Sequence, residues 1–186
     1  MEQEEKIIYS RQVVEFVASA NEYCKYLEGI KEMSGMEILK GMQRLLPFIY
    51  LRASLLPLLE PLMEEGNEKT VTEFDWTRMH DMLLAKTGNN DPYPVIVDMG
   101  DPADGLYTGS IAESLTDIYQ DLKDFVVNYK TGTDEVMNDA VWEVLMNFEE
   151  FWGKKLLNVL NAIHTVLYSE SDEKETNESA VDDKKV

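Results

Sequence analysis

Ser110-Ile111-Ala112-Glu113-Ser114-Leu115-Thr116-Asp117-Ile118-Tyr119-Gln120-Asp121-Leu122-Lys123-Asp124-Phe125-Val126-Val127-Asn128-Tyr129 is the stretch that decides the fold. Ile111, Leu115, Ile118, Leu122, Phe125, Val126 and Tyr129 recur at three- and four-residue steps, which places them on one face of an α-helix. Ser110 with Glu113 three residues later is a capping-box pattern: the hydroxyl takes an amide hydrogen of the first turn and the carboxylate reaches back to the serine amide. Gly132 closes the segment. The side away from the apolar face carries Glu113, Asp117, Asp121 and Asp124.

The same period continues outward in both directions. Beyond Gly132, the residues Met137, Val141, Val144, Phe148, Trp152, Leu156, Val159, Ile163 and Val166 predict a fifth helix from Thr133 to about Tyr168. Gly153 lies in its middle, where glycine costs about 1 kcal/mol, so close packing or a bend is expected there. The short link from the fourth helix makes an αα-hairpin. Upstream, a third helix starts near Thr72, carries Trp76, Met79, Leu83 and Leu84, and ends at Thr87-Gly88. A first helix spans Arg11 to Glu28, with Ser10 as N-cap and Gly29 as stop. A second opens at the capping box Ser34-Gly35-Met36-Glu37, is expected to kink or restart at Pro47, and ends by Pro57 and Pro61. Gly88–Gly109 reads as the longest irregular stretch, and loops of that length are often functional. Its apolar piece, Tyr93 to Val97, is expected to tuck onto the domain.

Short connections make neighbouring helices antiparallel. The expectation is an all-α, single-domain antiparallel helical bundle of about five helices over residues 1–168. Residues 169–186 lack aromatics and are mostly Ser, Asp, Glu, Lys and Asn, so a disordered acidic tail is expected.

The chain has 186 residues and a formal net charge of −19. Binding to nucleic acid rests on Lys and Arg neutralising phosphates, so this balance argues against it, and against anionic membrane surfaces. No apolar run is long enough to span a membrane, and the charged start does not read as a signal peptide. One cysteine, Cys24, rules out an internal disulfide, and its place in the first helix's apolar stripe makes it a core residue. A cytoplasmic setting is the expectation.

The carboxylate stripe Glu113, Asp117, Asp121 and Asp124 is the leading candidate for chemistry. Like charges at i, i+4 cost a helix a few tenths of a kcal/mol per pair, so such a stripe invites explanation. Hard cations take carboxylate oxygens, and a protein partner with a basic surface is the other candidate. At 100° per residue, however, the stripe's centre falls roughly 140° from the apolar face, which places it near solvent. The plainer expectation is a solvated charged face. Arg44 and Arg52 would neutralise part of it if the second helix lies alongside. Tyr119 and His164 complete the candidate set. Neither His80 nor His164 has a glutamate at i−3, and no zinc motif, calcium loop, phosphate loop or nucleophile elbow is present. Asp98, Asp101 and Asp104 fit turn formation. No cofactor or metal is named by these patterns.

Val71-Thr72-Glu73-Phe74-Asp75-Trp76, the stretch Gly109 to Lys123, and Phe148-Glu149-Glu150-Phe151-Trp152-Gly153-Lys154-Lys155 with Ala162-Ile163-His164 together resemble an uncharacterised family of all-helical bacterial proteins, a domain of unknown function. The Asp-Ile-Tyr-x-Asp-Leu and Trp-Gly pieces are its most specific parts. The resemblance implies a fold and no activity. It also implies aspartates just before the Leu-x-Asp-Ile-Tyr piece and histidines flanking Trp-Gly in relatives. Glu113, Ser114, Phe151 and Lys155 stand there in this chain, while Asp117, Tyr119, Asp121, Trp152, Gly153 and His164 keep the pattern. Much of any metal or catalytic site would thus be lost, which weakens an enzymatic reading. The functional expectation is a non-catalytic helical interaction module. The alternative is a small-ligand or metal-binding enzyme using the stripe, with Gly88–Gly109 as a cover. A cleft beside the stripe discriminates them.

Overall fold

The computed structural model describes residues 6–95 and 107–182, with the side chains of 131 and 170–182 left undescribed. The helices are α1 (Arg11–Glu28), α2 (Gly35–Ala53), α3 (Glu73–Thr87), α4 (Ile111–Thr131), α5 (Asp134–Asn147) and α6 (Gly153–Asp182). A π-helical turn, Phe148–Trp152, joins α5 to α6 without a break, so the pair follows one path as the expected fifth helix. A small antiparallel ribbon, β1 (Pro92–Val95) with β2 (Tyr107–Ser110), precedes α4, pairing Tyr93 with Gly109 and Val95 with Tyr107.

The bundle is built around α4, which packs on α1, α3, α5 and α6, while α2 packs on α1 and α6. Cross-helix pairs run in opposite directions. Phe16 meets Phe125 at 5.1 Å between ring centroids, and the Tyr23 hydroxyl donates to the Leu115 carbonyl at 2.8 Å. Likewise Tyr50 meets Phe148 and Gln43 reaches Tyr168. The core is built mainly of the periodic apolar residues read from sequence, closed around fully buried Trp152, whose indole N–H donates to the Val144 carbonyl at 3.1 Å.

The glycine expected to mark close packing does so. A Cβ on Gly153 would lie 2.3 Å from the Phe148 carbonyl oxygen, because the wide turn brings that oxygen under position 153. Ser34 and Thr72 form capping boxes, with Glu37 and Asp75 respectively, and the Ser110 hydroxyl accepts the Glu113 amide.

Several expectations are corrected. α2 runs through Pro47 without restarting and stops at Ala53, ahead of Pro57. Ser10 stands before α1 but its hydroxyl caps nothing. Leu84 faces solvent. Gly88–Gly109 is not irregular throughout, since its described parts are a short turn and the ribbon. The long irregular connection lies instead at 54–72, an extended strap pinned across α4 and α5. Asp139 accepts the Leu62 and Met63 amides at 2.7 and 2.9 Å, Asn138 donates to the Glu60 carbonyl, and Asn128 to that of Glu68. The backbone of α6 is traced past Tyr168 to Asp182, and the expected disordered tail, 169–186, falls on residues that from 170 lie outside the described side chains. Asp98, Asp101 and Asp104 also lie outside the described residues.

Candidate functional site

Asp91 sets where the ribbon meets α4. Its buried carboxylate accepts the Ala112 amide at 2.8 Å and the Thr87 hydroxyl at 2.9 Å, and its carbonyl accepts the Ile111 amide. A carboxylate at a helix N-terminus satisfies an orphan amide and favours the dipole. The end of α3, the start of β1 and the start of α4 are thereby fixed to one another. Tyr93, directly after, turns inward so that its hydroxyl pairs with buried Ser114 at 2.9 Å.

This arrangement leaves a cleft of about 670 Å³ along the polar side of α4. Glu113, Ser114, Asp117, Gln120 and Asp121 form its floor. Tyr93, Val95, Thr108 and Gly109 of the ribbon form one wall, and Glu150, Phe151 and Trp152 of the π-turn with Lys155 and Asn158 of α6 form the other. Ligand pockets commonly have volumes of about 300–1,000 Å³. The π-turn matters here because the extra residue in its ring rotates Glu150 and Phe151 away from the positions that a regular helix would give them. Such turns occur frequently at functional sites.

Asp117 sits at the centre with both oxygens engaged. Trp76 donates its indole N–H to Oδ1 at 2.8 Å, and Lys155 forms an ion pair with Oδ2. Asp121, one turn further, is half-buried and accepts only a neutral donor, the Asn147 amide, at 2.9 Å. Burial pushes its pKa up to about 6, against the lowering effect of that hydrogen bond. Glu113 and Glu150 are exposed at the cleft's edge.

The candidate residues separate into two groups. Glu113, Asp117 and Asp121 are brought together on the cleft. Asp124, Tyr119 and His164 are not. Asp124 is 4% exposed and held by three donors: the amides of Thr70 and Val71 and the Thr70 hydroxyl all donate to Oδ1, at 2.7, 2.9 and 2.6 Å. It pins the strap where α3 begins. Tyr119 faces α1, its hydroxyl donating to Glu28, beside the Lys123–Glu28 ion pair. His164 is exposed on α6, its ring 4.6 Å from that of Tyr168. Cys24 is buried and its thiol is pushed up to about 12 by burial, in keeping with its expected place in the core.

The solvated-face expectation is corrected by these contacts. An isolated helix has one apolar face and one wet face, but α4 is the central helix, so α3, the strap, the π-turn and the ribbon cover its polar side too. The expected neutralisation by Arg44 and Arg52 does not occur, since α2 packs on α1 and α6. Arg52 pairs with Glu15 of α1, and Arg44 is exposed. Lys155 neutralises Asp117 instead. Sequence reading missed Trp76, Asn147 and Lys155 as partners of the stripe. For Lys155 a signal was present: a lysine three residues after a buried tryptophan on a helix sits close to the edge of the apolar face.

Fold and site define a single-domain helical bundle with a polar cleft along its central helix. The chain belongs to the family described as the domain of unknown function DUF5063, which matches residues 7–169. It is similar to the crystal structure of protein BF1032 from Bacteroides fragilis, a structural-genomics target, with 34% identity, a TM-score of 0.78 and coverage of 88% of this chain and 97% of that one. No curated protein matches it. The four positions at which the family resemblance implied different residues, Glu113, Ser114, Phe151 and Lys155, all line the cleft. No described helix is long and apolar enough to cross a membrane.

Proposed function

We propose that this protein is a non-catalytic binding module whose working site is the cleft beside α4. The observation that carries this is the placement of Asp117 and Asp121 on the floor of a 670 Å³ cleft rather than on open surface. Polar groups held at fixed positions by neighbouring elements, with apolar surface from Tyr93, Val95, Phe151 and Trp152 beside them, are the composition of a small-molecule site. The lining includes neither histidine nor cysteine, so the usual base and thiol nucleophile are not among its described residues. Among the described residues no three of His, Cys, Asp and Glu gather in a way that could hold a metal ion. The fixed polar groups of the floor, with apolar side chains beside them, are what supports binding. The test is thermal unfolding of the whole protein against a panel of small polar metabolites. A ligand at 100 times its dissociation constant adds about 2.7 kcal/mol. A shift that vanishes in Asp121→Asn supports the cleft, and shifts that persist in that variant place the binding elsewhere and end this reading.

A second reading, docking of a protein partner, is supported by a different region. Leu51, Leu55, Leu58 and Leu62, at the end of α2 and on the strap, are 54, 50, 82 and 62% exposed. A contiguous apolar surface formed by these leucines would be a mark of protein contact. The net charge of −19 favours a partner with a basic surface. Loss of a partner in Leu58→Asp, with Asp121→Asn unaffected, would move the function from the cleft to this patch.

A further inference from the structure

We infer that the cleft takes an organic cation, an alkyl ammonium or guanidinium carried on a short apolar body. This rests on the reading of the cleft as the binding site and names its ligand class. The argument starts from the cleft's shape and the balance of its lining, in which Glu113, Asp117, Asp121 and Glu150 face a single cation, Lys155. That one cation is already used, paired with Asp117. An anion entering the cleft would meet three carboxylates with no cation left to receive it.

Lys155 itself shows which chemistry the cleft accommodates. Its ammonium reaches from α6 across to Asp117 on α4, beside the indole N–H of Trp76. Asp121 lies one turn along the same floor with no ammonium on it. Its carboxylate is desolvated by burial, and the Asn147 amide and the charge of Lys69, itself paired with Glu143, compensate it only in part, so a cation bound from the cleft recovers further Coulomb energy. The opposite wall supplies the apolar half of the recognition. Phe151 is 63% exposed next to Glu150, held out of the core by the π-turn, and faces the cleft with Val95. An aromatic face beside carboxylates suits a cation on a hydrocarbon stem, through contact and through the ring quadrupole. The net charge of −19 raises the local concentration of cations around the molecule. A hard divalent cation such as Ca²⁺ or Mg²⁺ suits the cleft less well, since it takes six or more oxygen ligands and Asp117 has both oxygens engaged.

A free amine and a Lys or Arg side chain on another protein share this chemistry, and the test separates them. Calorimetric titration of the full chain at low ionic strength and pH 7.5 uses phenethylamine and agmatine, with phenethyl alcohol and phenylacetate as neutral and anionic counterparts, and an acetylated Gly-Lys-Gly amide. The expected result is binding of the amines alone, weakened by salt, about tenfold weaker in Asp121→Asn and severalfold weaker in Phe151→Ala, with helical content unchanged by circular dichroism. A tighter site for the lysine peptide than for phenethylamine identifies a protein source, and the reverse order a free amine; both uphold the inference. Binding of the alcohol or the acid that is lost in Asp121→Asn overturns the cation class while sparing the cleft as a site. Amine binding indifferent to both variants, or no binding by any probe, overturns the inference.

Discussion

Two neighbouring carboxylates of one stripe do different work. Asp124 lies where the strap crosses α4, and three donors converge on one of its oxygens. Asp121, less than one turn away, meets a single neutral amide and opens onto the cleft. Both are aspartates on the same side of the same helix. What separates them is the supply of donors. A carboxylate surrounded by amide hydrogens becomes a structural clamp, and one desolvated with a single neutral donor on it, the Lys69 charge acting without a direct bond, is left ready to bind. Asp139 repeats the clamp on α5, accepting the Leu62 and Met63 amides of the same strap.

The comparison is broken most severely at Asp124. Asp124→Ala removes three charge-assisted hydrogen bonds and leaves two amides and a hydroxyl unpaired, so about 3 kcal/mol should be lost in urea unfolding. A loss under 1 kcal/mol would mean that water replaces the carboxylate and that the strap is not held there. Gly153→Ala comes next. The new methyl meets the Phe148 carbonyl, and overpacking of this kind costs about 1–3 kcal/mol. If the variant is as stable as the parent, the π-turn is not what shapes the cleft wall.

At the cleft end the sign reverses. The folded-state pKa of Asp121, about 6, lies above the ordinary aspartate value of about 3.9. Its protonated form therefore contributes stability that is fully present below about pH 3.9 and is lost as pH rises through 6. Asp121→Asn should accordingly be more stable than the parent at pH 7.5, by about 1–2 kcal/mol, and equal to it near pH 4. A variant less stable at both pH values would make Asp121 a clamp like Asp124. Asp139 supplies the contrast within the same titration. Burial alone would raise its pKa, but hydrogen bonds from Asn138, Leu62 and Met63 hold it below the usual range. Its contribution is present above the ordinary carboxylate pKa and is lost as pH falls through its own lowered value. The smallest effect belongs to Lys155→Met. Both partners of the Lys155–Asp117 pair are about one-third exposed, and the change should cost about 1 kcal/mol or less in thermal unfolding.

The helices were legible because each carries its own signal. Apolar steps of three and four, the Ser34 box, the Ser110 cap and the stops at Gly29, Gly88 and Gly132 are local features, and the structure places helices where they predict. The ribbon was not legible. Pro92 and Pro94 argue against a strand, and β1 exists because β2, from beyond residue 106, pairs with it. The strap was missed for a related reason. Its backbone is held by Asp124, Asn128, Asn138 and Asp139, side chains distant in sequence whose identity as acceptors and donors says nothing about what they will meet.

For the site, the sequence singled out the right helix and three cleft residues, Glu113, Asp117 and Asp121, but assigned them to open water. Helical periodicity gives angles around an axis and thus which residues share a side. It holds no information on how many neighbours that helix acquires. The sequence by itself determined an acidic helical domain, most of its helix ends, most of its buried stripes and the glycine at 153. Only the tertiary structure decided that α4 is central, that its polar side is half covered, and that Lys155 rather than an arginine of α2 answers Asp117. The reason is physical: amphipathicity and capping act over a few residues through the chain's own geometry, whereas desolvation and charge pairing depend on which distant segments pack together.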